Sequence, residues 1–397
     1  MKRTSTRHHG MDALRGLAIL GIFLINVIGM GGSLHGEEYP PLLGWSAADQ
    51  AVWWFQTLFV EGTMRGLLSL LFGAGFVLYL RRLEADDGLT PEDAMVLHYR
   101  RAFWLIVFGL FHSYVLMWPG DILFIYGLAA LGLYPMREWP SRRLAGAGLI
   151  FIAMLAFLMW APHLVSGPPP PLPDPAAHAE RFAQAWAQER QQRLGGLAEN
   201  ARKLSAIAVE WNLTPFVIWW VADAFGMMLI GAGLAGRGIL QGLADRRTYA
   251  LMALAGYGVG LPIRLWLGHE AQALGFLTGP VGVAPGYQLS RCAISLGHVG
   301  LFYLALPHVA RPLGDALAAV GRLALTNYIG QTLLGQFVLF PGFALGLFGV
   351  FGWAGLFVLA VAAWPVQLFL SRLYLRHYRT GPLEWLWRWL ARLPERP

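Results

Sequence analysis

In the N-terminal part of the chain, the polar side chains that could take part in catalysis or binding belong to one apolar run, DALRGLAILGIFLINVIGMGGSLH. Asp12 and Arg15 are three residues apart, so a helix presents them on one face. Asn26 follows Arg15 by eleven residues, about 16 Å of helix, which puts its amide near the middle of a bilayer. His35 ends the run. A polar amide at that depth either bonds helices together or binds a ligand, and the sequence leaves both open.

A histidine and an aspartate flank a tight turn in the segment GLFHSYVLMWPGDILFIYG. The turn, Trp118-Pro119-Gly120, predicts an antiparallel pair of helices. His112 precedes it by about 9 Å of helix, a depth at which an ionisable ring needs a partner. We therefore predict that His112 is a general base and that Asp121 orients its ring. The alternatives are a hydrogen-bonded core histidine and a simple helix cap.

Two further pairs of polar residues have helical spacing. Arg291 and His298 are seven residues apart, two turns along the same face of a helix. Asn327 and Gln331 are four apart in GRLALTNYIGQTLLGQFVLF and project together. We treat all four as candidate substrate-binding residues. The alternative is that they hold helices together.

The composition is that of a membrane protein. Hydrophobic residues make up 56% of the 397 residues and charged residues 13%, about half the charge of an ordinary soluble chain. The net charge of +7 does not indicate nucleic-acid binding, because the basic residues lie in short tracts between apolar runs. The single cysteine, Cys292, excludes an intrachain disulfide and a cysteine-rich metal site, and we predict no metal.

The apolar runs predict an all-α fold: a polytopic bundle of about ten transmembrane helices in one domain over residues 1–397. With the N-terminus inside, 22 of the 30 Lys and Arg residues fall on the inner side. This bias predicts that both termini are cytoplasmic and that the first helix is retained. The predicted spans are 13–31, 62–80, 102–118, 122–136, 144–164, 211–235, 248–268, 288–309, 323–341 and 350–371.

Two segments outside these spans are also predicted to be helical but are not predicted to cross the membrane. Residues 165–210 begin with a proline-rich tract and continue as polar helix, which predicts an extracytoplasmic insertion that is either a lid or a solvated spacer. Residues 380–393 combine an apolar stripe with arginines on the opposite side. This pattern predicts a short helix at the cytoplasmic interface of the membrane.

Four blocks of this sequence resemble the YeiB-like family of bacterial inner-membrane proteins. They run in order from one end of the chain to the other, and they read DALRGLAILGIFLINV, GLFHSYVLMWPGDILFIYGL, GRLALTNYIGQTLL and HYRTGPLEWLWR. The resemblance implies a multi-pass protein of the bacterial inner membrane.

The first helix is also similar to that of wider transmembrane acyltransferases, the acyltransferase-3 group and the lysosomal heparan glucosaminide acetyltransferase. The acyltransferase-3 pattern has a catalytic histidine eleven positions after an arginine. Arg15 matches the arginine here, but Asn26 stands at the histidine position. The lysosomal branch is similar in having Asn at that point, with its essential histidine several residues later. His35 has a comparable spacing and is a second catalytic candidate.

This resemblance implies transfer of an acyl group from cytosolic acyl-CoA, such as acetyl-CoA, to an extracytoplasmic sugar or small hydroxyl or amine compound. Asp12, Arg15 and the neighbouring basic residues would hold the donor's phosphates. Asn26, Asn327 and Gln331 would line the path of its pantetheine arm. His112 or His35 would deprotonate the acceptor. No permanently bound cofactor is expected.

Two other classes of function remain open on the sequence. A transporter of a small polar or lipid-like solute would use the same buried polar groups as ligands and as a proton relay. A non-catalytic membrane scaffold would use them only to hold helices together. The expected partners are the bilayer and small molecules, without nucleic acid, and a homo-oligomer is compatible with the sequence.

Overall fold

A computed structural model describes residues 9–85, 89–165, 174–214 and 216–392. Within these ranges the chain forms helices and turns and no strand. The predicted all-α, polytopic membrane bundle is therefore confirmed. The basic residues before His9 and most of the predicted proline-rich tract lie outside the described residues.

Fifteen α-helices occur in the described part of the chain. They are α1 (His9–Gly31), α2 (Ala47–Phe59), α3 (Thr63–Ala85), α4 (Pro91–Tyr114), α5 (Leu123–Leu131), α6 (Ser141–Val165), α7 (Pro175–Arg193), α8 (Leu197–Leu213), α9 (Phe216–Gly236), α10 (Arg246–Ala273), α11 (Tyr287–Ala305), α12 (Arg311–Arg322), α13 (Ala324–Leu333), α14 (Trp353–His377) and α15 (Pro382–Leu390), with a π-helical segment at Leu334–Leu339.

Eight segments of the described chain are long and apolar enough to cross a membrane. They match eight of the ten predicted spans. The other two predicted spans, 122–136 and 323–341, contain shorter helices. α5 ends at Leu131 because Gly132 and Pro135 follow. α13 is the second half of a broken helix. α12 is the first half, and only Leu323 separates the two. The segments of spanning length are His9–Gly31, Ala47–Leu83, Pro91–Tyr114, Ser141–Ala161, Val217–Gly236, Arg246–Ala273, Tyr287–His308 and Trp353–His377.

The first helix, α1, lies at the centre of the bundle. Of the residues in its apolar stretch, 78% are buried, against 17–28% in α4, α6, α10 and α14. A helix that is apolar all round is expected to be enclosed by others. The helices α3, α12, α13 and α14 pack around it. We call the end of the bundle where α1 begins the basic end and the opposite end the hairpin end.

Several helices begin at side chains that bond their free backbone N–H groups. Ser46 and Asp49 form a capping box at the start of α2. Thr90 accepts from the backbone of Asp93 at the start of α4, and Asp245 accepts from Thr248 at the start of α10. These local signals explain why the helices begin where they do.

The helices α7 and α8 form a hairpin that is docked onto the bundle rather than loosely attached. Ser33, just after α1, donates to the Glu189 carboxylate at 2.6 Å. The fully buried Arg193 donates to the carbonyl oxygen of Met30 at 2.7 Å and to the amide oxygen of Gln336 at 2.9 Å. Arg193 thus bonds a free carbonyl at the end of α1. These contacts hold α7 against the hairpin end of the bundle.

The last helix, α15, is also docked through specific bonds. Trp387 donates its indole N–H to the carbonyl oxygen of Arg101 at 3.0 Å. The buried Glu384 accepts from the backbone N–H of Thr326 at 3.0 Å and from its hydroxyl at 2.6 Å. Trp385 and Trp389 remain about half exposed. The helix therefore has a membrane-type surface and a second face that closes the basic end of the bundle.

Close backbone contact holds α3 against α9. A Cβ atom at Gly73 would overlap the carbonyl of Met228, and one at Gly231 would overlap the carbonyl of Leu70. The two glycines form a reciprocal pair that lets the helices approach closely, as small residues do in membrane bundles.

Substituting alanine at Gly73 or Gly231 should therefore destabilise the bundle by about 1–3 kcal/mol, because backbone atoms cannot move aside as a side chain can. Thermal unfolding in detergent measures the loss. Gly75→Ala is the matched control on the same helix, since nothing lies within 4 Å of its added methyl group. An equal loss in the control would contradict this account of the contact.

Candidate functional site

Three polar side chains from three separate segments form one hydrogen-bonded chain. His112 lies in the last turn of α4, Asp121 just before α5 and Thr332 in α13. His112 Nδ1 lies 2.6 Å from Asp121 Oδ1, and His112 Nε2 lies 2.9 Å from Thr332 Oγ1. The second carboxylate oxygen of Asp121 accepts from the backbone N–H of Phe124 at 2.7 Å. Asp121 therefore caps α5 and orients the ring of His112 as well, so the two predicted alternatives are not exclusive.

The bonds assign a role to each nitrogen of the imidazole ring. A carboxylate can only accept, so Nδ1 of His112 carries the proton that it shares with Asp121. When the ring is neutral, Nε2 is the acceptor, and it faces the hydroxyl of Thr332. None of the three side chains is more than 3% exposed. Carboxylate, imidazole and hydroxyl follow one another in the order that activates a nucleophile in hydrolases and transferases.

A tyrosine separates this Asp121–His112–Thr332 triad from a cavity. The ring of Tyr328 packs edge-on against His112 with centroids 5.0 Å apart, and it also lines the cavity. Its hydroxyl accepts from the backbone of Ile122 at 3.3 Å and donates to the carbonyl of Gly120 at 3.4 Å. The triad therefore lies directly behind the cavity wall.

The cavity has a volume of about 300 Å³ and is lined by residues of α1, α3, α4, α5, α12, α13 and α15. Its interior is apolar, with Leu68, Phe72, Leu105 and Leu123 among the lining residues. Such a volume is at the lower end of the range for small-molecule sites, about 300–1,000 Å³. The arrangement offers one ligand-sized compartment between the triad and the basic end of the bundle.

Four arginines line the same cavity toward the basic end: Arg15, Arg101, Arg322 and Arg388. Arg15 donates to Asp12 at 3.0 Å, as the sequence spacing predicted. Arg101 lies between the rings of Tyr79 and Trp387, 4.2 and 4.1 Å from their centroids. Aromatic stacking leaves the edges of a guanidinium free to bond an anion. The compartment therefore joins a basic mouth to an apolar interior.

Asn26 and His35 are not among the cavity residues. Asn26 is half-buried, and its amide nitrogen has no hydrogen-bond partner. His35 lies at the hairpin end, 3.3 Å from the Glu38 carboxylate and edge-on to Phe182 of α7. Hydrogen bonding to Glu38 raises the pKa of His35. Of the two predicted histidines, only His112 belongs to the triad.

Asn327 and Gln331 bond other parts of the bundle. Asn327 donates to the carbonyl of Leu323 and to Ser371, both at 3.0 Å. The first of these bonds satisfies a carbonyl at the break before α13. Gln331 donates to the carbonyl of Ile19 at 3.0 Å. The two amides tie α13 to α14 and α1. The triad and the cavity instead use Thr332 and Tyr328, each one position further along the same helix.

Arg291 and His298 bond different partners, and neither lines the cavity. Arg291 is fully buried and makes a close ion pair with Asp223, which Arg65 also approaches at 3.6 Å. His298 accepts from the Tyr257 hydroxyl at 2.7 Å and donates to a backbone carbonyl of α2 at 2.8 Å. The predicted site residues are thus divided. Arg15 lines the cavity, His112 and Asp121 form part of the triad behind it, and the remaining candidates lie elsewhere in the bundle.

Sequence reasoning missed Thr332, Tyr328, Arg101 and Glu384. The signal for the first two was present, because Tyr328 and Thr332 are four residues apart on one helix face. No sequence pattern indicated Arg101 or Glu384. The sequence placed Arg101 in a tract that connects two spans, and it placed Glu384 in an interfacial helix.

An acidic recess lies at the other end of the bundle, near the start of α3. Glu37, Glu61 and Gln56 line it together with the rings of Trp53 and two other aromatic residues. Glu37 keeps accessible surface, but the surrounding protein desolvates its carboxyl group. This burial, with a further contribution from the Glu61 carboxylate, raises the pKa of Glu37 from 4.5 to about 7.

The raised pKa of Glu37 predicts a pH-dependent loss of stability. The unfolded chain ionises this carboxyl group first, so its stabilising contribution is present below about pH 4.5 and is lost as the pH rises to about 7. Glu37→Gln cannot ionise and should gain melting temperature relative to wild type over this interval. Parallel melting curves at each pH would test this. A constant difference between the two proteins from pH 4.5 to 8 would contradict it.

Comparison with known proteins agrees with the four sequence blocks. Residues 234–394 match the family described as "Protein of unknown function (DUF418)". The chain is 30% identical to the "Uncharacterized protein YeiB" of Escherichia coli (strain K12), over 97% of this chain and 96% of that protein. It is 28% identical to the "Uncharacterized protein YxaH" of Bacillus subtilis (strain 168), over 97% and 94% of the two chains.

Proposed function

Since the chain belongs to the YeiB-like family, we propose for it the activity that its geometry supports best: transfer of an acyl group from cytosolic acyl-CoA to an acceptor across the inner membrane. The acceptor is a hydroxyl or amine compound, and acetyl-CoA is the simplest donor. The observation that carries the proposal is a cavity with a basic mouth and an apolar interior, whose wall at Tyr328 has the Asp121–His112–Thr332 triad directly behind it.

The charges at the mouth fit the polar end of acyl-CoA. This donor carries several phosphate charges at one end and its acyl thioester at the other. Arg15, Arg101, Arg322 and Arg388 offer guanidinium groups, which suit phosphate oxygens. The excess of basic residues on this side favours a cytoplasmic orientation of the mouth, where acyl-CoA is available.

The interior of the cavity fits the rest of the donor. An apolar wall favours the acyl chain and the methylene groups of the pantetheine arm over water. The thioester would then approach Tyr328 and, behind it, His112. His112 supplies a base, and Asp121 stabilises the imidazolium that forms when the base takes a proton.

A transporter is the second candidate, and the cluster of Arg65, Asp223 and Arg291 supports it. Ionisable groups inside a membrane bundle are characteristic of solute and proton paths. In that case the cavity would bind a transported solute, and acyl-CoA would not bind saturably.

Acyl-CoA binding to the protein in nanodiscs tests the proposal. Arg15→Ala and Arg388→Ala should each weaken binding about tenfold or more, because each removes a charged hydrogen-bond donor, a loss of about 1.5–3 kcal/mol. Arg142→Ala is the matched control, an exposed arginine at the same end that does not line the cavity. Isothermal titration calorimetry gives the dissociation constants.

Two outcomes would contradict the acyltransferase. One is no saturable binding at millimolar acyl-CoA by folded wild-type protein, which would favour the transporter. The other is binding that Arg15→Ala and Arg388→Ala leave as strong as Arg142→Ala does, which would place the donor outside the cavity.

A further inference from the structure

We propose that the hydroxyl of Thr332 is the nucleophile that first receives the acyl group, so that the group passes the middle of the membrane as an ester on α13. The inference rests on the acyl transfer proposed above and names its covalent intermediate. It also explains why Thr332 is part of the triad, since a general base that acts directly on the acceptor does not require this hydroxyl.

The direction of the Thr332 hydroxyl is the first argument. Serine and threonine hydroxyls in helices ordinarily bond the carbonyl oxygen three or four residues back. Four in the described part of the bundle do so: Thr63 bonds Phe59, Ser69 bonds Arg65, Ser290 bonds Tyr287 and Ser295 bonds Arg291. Thr332 instead meets His112 Nε2 at 2.9 Å, across 220 residues of sequence.

The partners of His112 are the second argument. A neutral imidazole that is held by Asp121 through Nδ1 has its Nε2 lone pair available for the proton of Thr332. Asp121 is itself fixed by the backbone of Phe124. The three groups are already aligned, and their burial excludes water that would hydrolyse an ester.

The position of Thr332 is the third argument. It lies one helical turn beyond Tyr328, on the same face of α13 and toward the hairpin end. The two hydrogen bonds of the Tyr328 hydroxyl, 3.3 and 3.4 Å long, are weak. The proposed transfer requires this ring to move aside, which would open the end of the cavity toward Thr332. A relay residue here lets donor and acceptor remain on opposite sides without an open channel.

The chemistry balances in two half-reactions. In the first, the Thr332 oxygen attacks the thioester carbonyl carbon, and its proton passes to His112 Nε2. The new C–O bond forms, the C–S bond breaks, and CoA leaves as the thiol with the proton from His112. In the second, the acceptor's hydroxyl or amine attacks the ester carbonyl. The new C–O or C–N bond to the acceptor forms, and the bond between the acyl carbon and the Thr332 oxygen breaks. The acceptor's proton passes through His112 to the Thr332 oxygen, and neither half-reaction changes an oxidation state.

Covalent labelling without an acceptor tests the inference. The protein in nanodiscs is incubated with acyl-CoA carrying a radioactive acetyl or octanoyl group, denatured and digested, and acyl-CoA binding is measured on the same samples. The label should be found on the peptide that contains Thr332. It should be lost in Thr332→Val, which keeps the side-chain shape, and should form about 10²–10⁴-fold more slowly in His112→Gln.

Two variants control for effects on folding. Thr332→Ser keeps the hydroxyl and should retain the label on a peptide lighter by one methylene group. Thr63→Val removes another buried hydroxyl, one that bonds the carbonyl oxygens of Phe59 and Val60, and should leave the labelling unchanged.

The outcomes separate this inference from the proposed function. Acyl-CoA binding without any covalent label, or with the label on another residue or still present in Thr332→Val, overturns the intermediate and leaves acyl transfer standing. The absence of acyl-CoA binding by folded wild-type protein overturns both.

Discussion

The contact between Glu384 and the start of α13 is the interaction on which the proposed route depends. The break at Leu323 leaves backbone N–H groups of α13 without helical partners, and a buried carboxylate is the group that best satisfies them. Glu384 thereby fixes α15 at the basic end and holds the start of α13 against it. The position of α15 places Arg388 at the cavity mouth. The position of α13 places Tyr328 and Thr332 in contact with His112.

The polar groups of the bundle are divided among separate places, each with its own compensation. In the triad, the carboxylate of Asp121 is bonded by His112 and by the backbone N–H of Phe124. Asp223 compensates Arg291, and Glu61 pairs with Arg264 at 2.5 Å. At the hairpin end Arg193 bonds carbonyl and amide oxygens, and burial lowers the pKa of its guanidinium to about 10. Buried charge is expected to be paired or bonded in this way.

The sequence predicted the parts of the fold that depend on local pattern. Apolar runs identified the long helices, and the turn before Asp121 identified the partner of His112. It could not predict the third member of the triad, because the contact with Thr332 depends on how α4 and α13 pack across 220 residues. The choice of Asn327 and Gln331 missed the relevant face of α13 by one residue, about 100° of rotation. The sequence also could not predict that the hairpin of α7 and α8 docks through the buried Arg193, since an arginine in a polar helix ordinarily faces solvent.

The most direct measurement is to map where the acyl end of the donor lies. An acyl-CoA with a photoreactive group at the end of its acyl chain is irradiated on the protein in nanodiscs, and the crosslinked residues are identified by mass spectrometry. The account predicts crosslinks on cavity residues next to the triad, which excess acyl-CoA removes: Leu105, Ile122, Leu123 and Tyr328. Crosslinks confined to exposed outward-facing residues such as Ile150 and Phe369 would contradict it.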